Sequence, residues 1–233
     1  MPEHYVNGRG CRKVIGTTGL FRPAPYIPIV METLACPATK GRPREFCLDE
    51  ALAAALRVFW SKGYEGASMT DLTEAMGITK PSLYAAFGNK EALFCKTLDL
   101  YEREKLAYVG KALAQPTVRA VAEHMLRGSV ENQTSTCEPR GCLGVISSVA
   151  CGAEAESIRD MVHERSKVAR AALIERIERG KAEGDLPDHI DVEALTGLLY
   201  ALMQGMAVQA GAGATRAELE RMVDTSMLMW PGR

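Results

Sequence analysis

Residues 69–87 read Met69-Thr70-Asp71-Leu72-Thr73-Glu74-Ala75-Met76-Gly77-Ile78-Thr79-Lys80-Pro81-Ser82-Leu83-Tyr84-Ala85-Ala86-Phe87. Two short helical patterns flank one glycine in this run. Ser68 precedes the first, over residues 70–76, and its hydroxyl can accept from an early backbone N–H. Asp71 and Glu74 lie in the first turns, where the positive end of the helix dipole favours acid. Gly77-Ile78 makes a tight connection. Thr79 then caps a third short helix with Pro81 near its first turn, where a missing N–H does little harm. Leu72, Met76 and Ile78, with Leu83 and Phe87, give each helix one apolar side. The partner for those sides lies upstream, where Ala51, Leu52, Ala55, Leu56, Phe59 and Trp60 recur at three- and four-residue steps until Gly63.

With the apolar positions used for packing, Thr79, Lys80, Ser82, Tyr84 and Ala85 are left to face outward. A helix held at a fixed angle with such a face suits a DNA major groove about 12 Å wide. Lys80 suits guanine O6 and N7 or a phosphate, Ser82 either, and the Tyr84 hydroxyl a phosphate. The same spacing also describes an αα-hairpin that touches nothing.

Downstream the text stays helical. Gly88-Asn89 ends the third helix, and Asn89 with Glu91 begins a long one to about Ala112. Further helices are expected over roughly 117–131, 142–152, 155–183, 191–210 and 215–229, with breakers at Glu138-Pro139-Arg140-Gly141, Gly184-Asp185-Leu186-Pro187 and Gly211-Ala212-Gly213. No run alternates as a strand would. The expected fold is all-α with about nine helices: a three-helix head and a larger carboxy-terminal bundle.

Composition agrees with a globular chain: 233 residues, 47% hydrophobic and 24% charged, well above the size at which a core is hard to bury. The net charge of −1 is unevenly spread. Before residue 45, Arg9, Arg12, Lys13, Arg22, Lys40, Arg42 and Arg44 face only Glu3 and Glu32, so a basic arm leads into an acidic body. That arm, rich in Gly, Pro and Thr, reads as disordered, and Met31 could itself be the start, leaving residues 1–30 an upstream artefact. Seven cysteines without a Cys-x-x-Cys pair suit a reducing compartment, and Pro23, Pro25 and Pro28 break any apolar leader, so a cytoplasmic protein is expected. Residues 194–215 carry no charge, but Thr196, Gln204, Gln209, Thr215 and four glycines favour a buried helix over a membrane span. His4, His124, His163 and His189 lack metal-ligand spacing, and no glycine-rich phosphate loop follows a strand. Neither an enzyme, a metal site nor a cofactor is expected.

The run Gly41-Arg42-Pro43-Arg44, then residues 55–64, 70–77 and 77–94, resembles the amino-terminal domain of TetR-type transcriptional regulators. The resemblance is specific over about residues 45–98 and looser beyond. It implies a head at 45–98 and, at 99–233, a body that binds an effector and dimerises. It also implies a homodimer that holds a palindromic operator, most often as a repressor, until a small molecule binds. Carried over by position, Thr70, Thr79, Lys80, Ser82 and Tyr84 would face double-stranded DNA, with Ser68 beside them and Lys90 on a phosphate. Lys40, Arg42 and Arg44 in the arm (residues 1–44) would reach phosphates or a minor groove. Many relatives have a bulky aromatic and a histidine where this chain has Ala85 and Ala86, which leaves the operator sequence open.

The resemblance also implies an effector cavity within the body. Met125, Ile146, Val149, Met161 and Met203 are its expected lining, with His124 and Gln204 as polar anchors; plain core packing is the competing account. Gly197, Ala201 and Gly205 form a small-residue track that, with Leu202, reads as a dimer contact. Leu219, Met222, Val223, Met227 and Leu228 would supply the facing apolar surface, unless they pack within one chain. Cys137 and Cys142 lie across a turn with Arg140 between them to favour a thiolate, and Cys142 opens a Gly-Cys-Leu motif found in a subset of these regulators. With Cys151 they leave a second signal open, oxidation or a soft metal, against inert thiols. A helical module that contacts only protein is a further alternative.

Overall fold

The computed structural model describes residues 47–149, 152 and 155–232. The basic arm, including Lys40, Arg42 and Arg44, and also Cys151 lie outside the described residues, as does the side chain of Val149. Ten α-helices and no strand are found among them: α1 Leu48–Gly66, α2 Met69–Met76, α3 Lys80–Phe87, α4 Lys90–Lys105, α5 Ala107–Leu113, α6 Val118–Gln133, α7 Leu143–Val149, α8 Glu156–Ala182, α9 Val192–Gly211 and α10 Arg216–Leu228. None is long and apolar enough to cross a membrane.

The head is α1 to α3 with the first half of α4. Phe59 and Trp60 of α1 are fully buried beside Leu72 of α2, Leu83 of α3 and Phe94 of α4. Aromatic rings set the angles. Phe94 meets Phe59 edge-on at 5.1 Å and Tyr64 at 5.3 Å, while Trp60 meets Tyr101 edge-on at 4.9 Å. At Gly63 the backbone turns to φ 71°, ending the straight run of α1 as expected, and one further turn continues to Gly66.

The body packs α6 between α5, α9 and α10, with α8 across them. Its core holds Val121, Met125, Leu126, Leu173, Ile177, Leu199, Met206, Leu219 and Val223. Packing is continuous with the head, since Leu143, Ile158 and Val162 of α7 and α8 bury in the same cluster as Phe59 and Trp60.

Two expectations need correction. The long helix from Asn89 to about Ala112 is two helices, broken at Leu106 (φ −102°, ψ 12°). No glycine or proline marks the break; its cause is distant. Turning α5 lays Tyr108 on Gly128 of α6, where a Cβ would stand 2.4 Å from Tyr108 Cδ2, so only glycine admits the approach. The other correction concerns α10. Leu219, Val223 and Met227 are buried within one chain, against α6, and cannot present a face to a second copy. Met222 is half-buried and Leu228 exposed.

Candidate nucleic-acid interface

The α2–α3 unit is stiff because both helices are capped from their own sequence. The Ser68 hydroxyl accepts from Asp71 N at 3.0 Å, and Asp71 Oδ2 accepts from Ser68 N at 2.9 Å. At the other end of α2, Gly77 adopts φ 64°, ψ 29°, a left-handed turn that a side chain would strain. Its N–H closes on Glu74 O, and Ile78 N on Thr73 O. Thr79 Oγ1 accepts from Ser82 N at 3.4 Å and shares a 2.9 Å hydrogen bond with Ser82 Oγ. Asn89 Oδ1 accepts from Ala92 N at 2.7 Å, which starts α4.

Asp71 also anchors α2 to α1, through Lys62 Nζ at 2.6 Å. That hydrogen bond, with the two from Ser68, lowers the Asp71 carboxyl from 3.8 to about 2. A depressed acid contributes stability above its unfolded value and loses it as pH falls. The head should therefore weaken between pH 3.8 and about 2, and Asp71→Asn should flatten that loss. Circular dichroism across an acid titration checks this; an unchanged profile in the variant would reject the assignment.

Most of the described residues expected to face DNA are exposed. Thr70, Thr79, Lys80 and Tyr84 are exposed, Ser82 is partly so, and Ala85 adds an exposed methyl. Lys80 makes no ion pair among the described residues, and 46% of the Tyr84 surface is open. Ser68 is different: its hydroxyl is engaged in the cap, so its role is to hold α2. Lys90 is half-buried, with its ammonium 4.6 Å from the centroid of Tyr64. Burial lowers its pKa, partly opposed by Glu65. A phosphate at the start of α4 would meet this charge already placed on a ring.

The expected effector residues do not converge. His124 and Gln204 are exposed on the outer sides of α6 and α9, so neither anchors anything inside. Met125 is in the core of the body with Met203 at its margin, whereas Ile146 and Met161 pack against the head core. Apart from Cys142, the polar groups that do converge inside were absent from the sequence reading. Tyr101 Oη donates to Cys142 Sγ at 3.4 Å and accepts from Asn132 Nδ2 at 3.2 Å, while Gln133 Nε2 donates to Ser129 Oγ at 2.6 Å. This network touches the head, because Trp60 Nε1 donates to Gly141 O at 3.2 Å, next to Cys142. A second link joins Glu65 Oε2 to Gly152 N at 2.8 Å.

Arg140 is not placed to activate either thiol: its guanidinium donates to Ala214 O. Cys137 is exposed and Cys142 half-buried, and both are free. No group of three or more His, Cys, Asp or Glu that could hold a metal occurs among the described residues.

On the outer side of α9, Ala201 is exposed and Gly197, Leu202 and Gly205 are partly so. Leu198 and Val208 stand beside them with more than half of their surface open, as does Val168 on α8.

Comparison with known proteins agrees with this geometry. Residues 51–95 match the profile described as bacterial regulatory proteins, tetR family, and residues 114–226 that of the tetracyclin repressor-like C-terminal domain. The chain is 31% identical over 195 residues to the HTH-type transcriptional repressor ComR of Escherichia coli K12, covering 83% of this chain and 93% of ComR. It is 26% identical to the repressor BdcR of the same strain, over 77% of this chain and 86% of BdcR. Among solved structures, a cysteine mutant of the TetR family regulator CifR in complex with 26 bp of double-strand operator DNA superposes with a TM-score of 0.77. That match is 40% identical and covers 82% of this chain and all of the other. A capped recognition unit with an open polar face, on a body matched along most of its length, leads to one assignment: this chain belongs to the TetR family and is a helix-turn-helix, DNA-binding transcriptional regulator, not an enzyme.

Proposed function

We propose that two copies of this chain hold one palindromic operator, each with α3 in the major groove, repress transcription while bound, and let go when a small molecule enters the body. The observation that carries this is the pairing of a capped α3, packed through Leu83 and Phe87, with Lys80 and Tyr84 standing open on its outer face. Thr70, Thr79 and Ser82 complete that face, Lys90 meets a phosphate, and Lys40, Arg42 and Arg44 extend the contact along the backbone. Support for repression comes from ComR and BdcR, which are named as transcriptional repressors, and support for an operator from the CifR complex. Two copies associate through the outer face of α9, with Leu198, Ala201, Gly205 and Val208 at its centre. The regulator works in the cytoplasm.

Binding-site selection with the full chain, followed by titration of variants, tests this reading. Lys80→Ala should change base preference, losing about 1–3 kcal/mol on the selected site and less on others. Tyr84→Phe should weaken all sequences alike, because a hydroxyl on phosphate reads no base. Equal losses on every sequence for Lys80→Ala would reduce that residue to a phosphate contact. A chain that selects no sequence would remove the reading altogether.

A second reading takes thiol oxidation as the signal, and rests on Cys142 touching Tyr101, which meets Trp60 of the head edge-on. If peroxide releases Cys142→Ser from DNA as readily as the parent, this reading fails.

A further inference from the structure

Gln133, on the last turn of α6, is 4% exposed. Its amide has one satisfied end. Nε2 donates to Ser129 Oγ and, at 3.4 Å, to Met203 O of α9. Turning the amide over would set Oε1 against the Met203 carbonyl, acceptor against acceptor, so the orientation is determined by its surroundings. Oε1 is then a buried acceptor with no donor. Native interiors seldom leave such an atom unpaired, and a bound molecule is one of the explanations for it.

Its neighbours describe what that molecule is. The Tyr108 ring lies on Gly128, the residue before Ser129. On the same stretch of α6, Asn132 donates to the Tyr101 hydroxyl, which donates to Cys142 Sγ. These groups, from α4, α5, α6 and the residue before α7, gather along residues 128–133 of α6, and none carries a formal charge at neutral pH. Burial pushes the Tyr101 and Tyr108 phenols further above their ordinary range. Ions on the flanking elements are already matched: Lys105 with Glu138 at 2.8 Å, and Arg165 with Asp99 and Glu102 at 2.7 and 2.9 Å. A charged occupant would lose its hydration and find no counter-charge. An uncharged one that offers a hydrogen to Gln133 would complete the set.

We infer that the cluster of Tyr101, Tyr108, Ser129, Asn132, Gln133 and Cys142 around the end of α6 is the effector site of this chain, and that it takes a small uncharged molecule with a hydrogen-bond donor for Gln133 Oε1. The inference rests on the proposed release by a small molecule. It differs from the expectation drawn from sequence, in which methionines with His124 and Gln204 held the ligand. Asn132, the residue before Gln133, donates to the Tyr101 hydroxyl, and Tyr101 meets Trp60 of the head edge-on, so a change at the end of α6 has a path to the head.

The test uses the full-length protein and four probes of one size: butyramide and 2,3-butanediol, which are uncharged donors, and butyrate and butylammonium, which are ions. At about 50 mM, the two uncharged probes should raise the melting temperature by about 1–3 °C and the two ions should not. Gln133→Leu should reduce that shift at least about fivefold; Gln133→Met, unbranched and of similar length, serves if the leucine variant does not fold. A shift by butyrate or butylammonium that depends on Gln133 would overturn the chemical class and leave a small-molecule effector standing. An unchanged shift in both variants would overturn the site, and so would the absence of any shift in the parent. Retention of the selected operator duplex is measured in parallel. Binding of butyramide without loss of retention would instead sink the effector reading on which the inference rests.

Discussion

Phe59→Ala should destabilise the protein by about 3–5 kcal/mol and abolish retention of the operator, although Phe59 touches no DNA. The ring is fully buried, edge-on to Phe94 at 5.1 Å and stacked with Tyr64 at 6.1 Å. Truncation removes both aromatic contacts, each worth about 0.5–1.5 kcal/mol beyond the area buried, and leaves a cavity between α1 and α4. Those two helices carry α2 and α3. With the support gone, Lys80 and Tyr84 keep their chemistry but lose a fixed angle to the groove. Denaturant unfolding and a duplex titration measure the two effects separately. A loss below about 1 kcal/mol would mean that the head is held mainly by its junction with α7 and α8.

The second large effect separates two apolar surfaces that look alike in sequence. Glutamate at both Leu198 and Val208 should convert the proposed dimer to folded monomers that no longer retain the duplex. Both side chains are more than half exposed in one chain, so the charges remain hydrated in the monomer and are buried unpaired only at the contact. Leu219→Ala should do the reverse. That residue is fully buried against α6, so its truncation should lower folding stability by about 2–5 kcal/mol while the chains stay associated. Sedimentation equilibrium and denaturant unfolding of both variants decide the matter. A dimeric Leu198→Glu/Val208→Glu protein would move the contact elsewhere, to α8 and Val168 first.

The head was legible in the sequence because its determinants are local. Ser68, Thr79 and Asn89 announce three helix starts, Gly77 one helix end, and the apolar spacing from Ala51 to Phe87 says which sides meet. Each of these acts within four residues of itself, and each is found in place. The break at Leu106 had no such marker, since it is imposed by Tyr108 docking on a glycine twenty residues away. Leu219, Val223 and Met227 form an apolar stripe that obeys the same period whether it packs on its own α6 or on a second copy; periodicity reports burial, not the identity of the partner. The interior network was hidden for a further reason. Asn132 and Gln133 sit at the end of a helix, where polar residues usually meet water, and they become recognisable only once Tyr101, Ser129 and Met203 are in position around them. His124 and Gln204 were the opposite case, polar side chains on helices with apolar neighbours that turn out to face solvent.

The central claim is that a duplicated, rigid head holds double-stranded DNA through α3 and its flanking cations. Equilibrium titration of a selected operator duplex with the full-length chain, repeated over a range of salt, tests it most directly. The account predicts two chains per duplex and a log–log loss of affinity with salt of about 0.9 per phosphate engaged, a slope that Lys90→Ala makes shallower by about one contact. A chain that stays monomeric and retains no duplex in dilute buffer would contradict it.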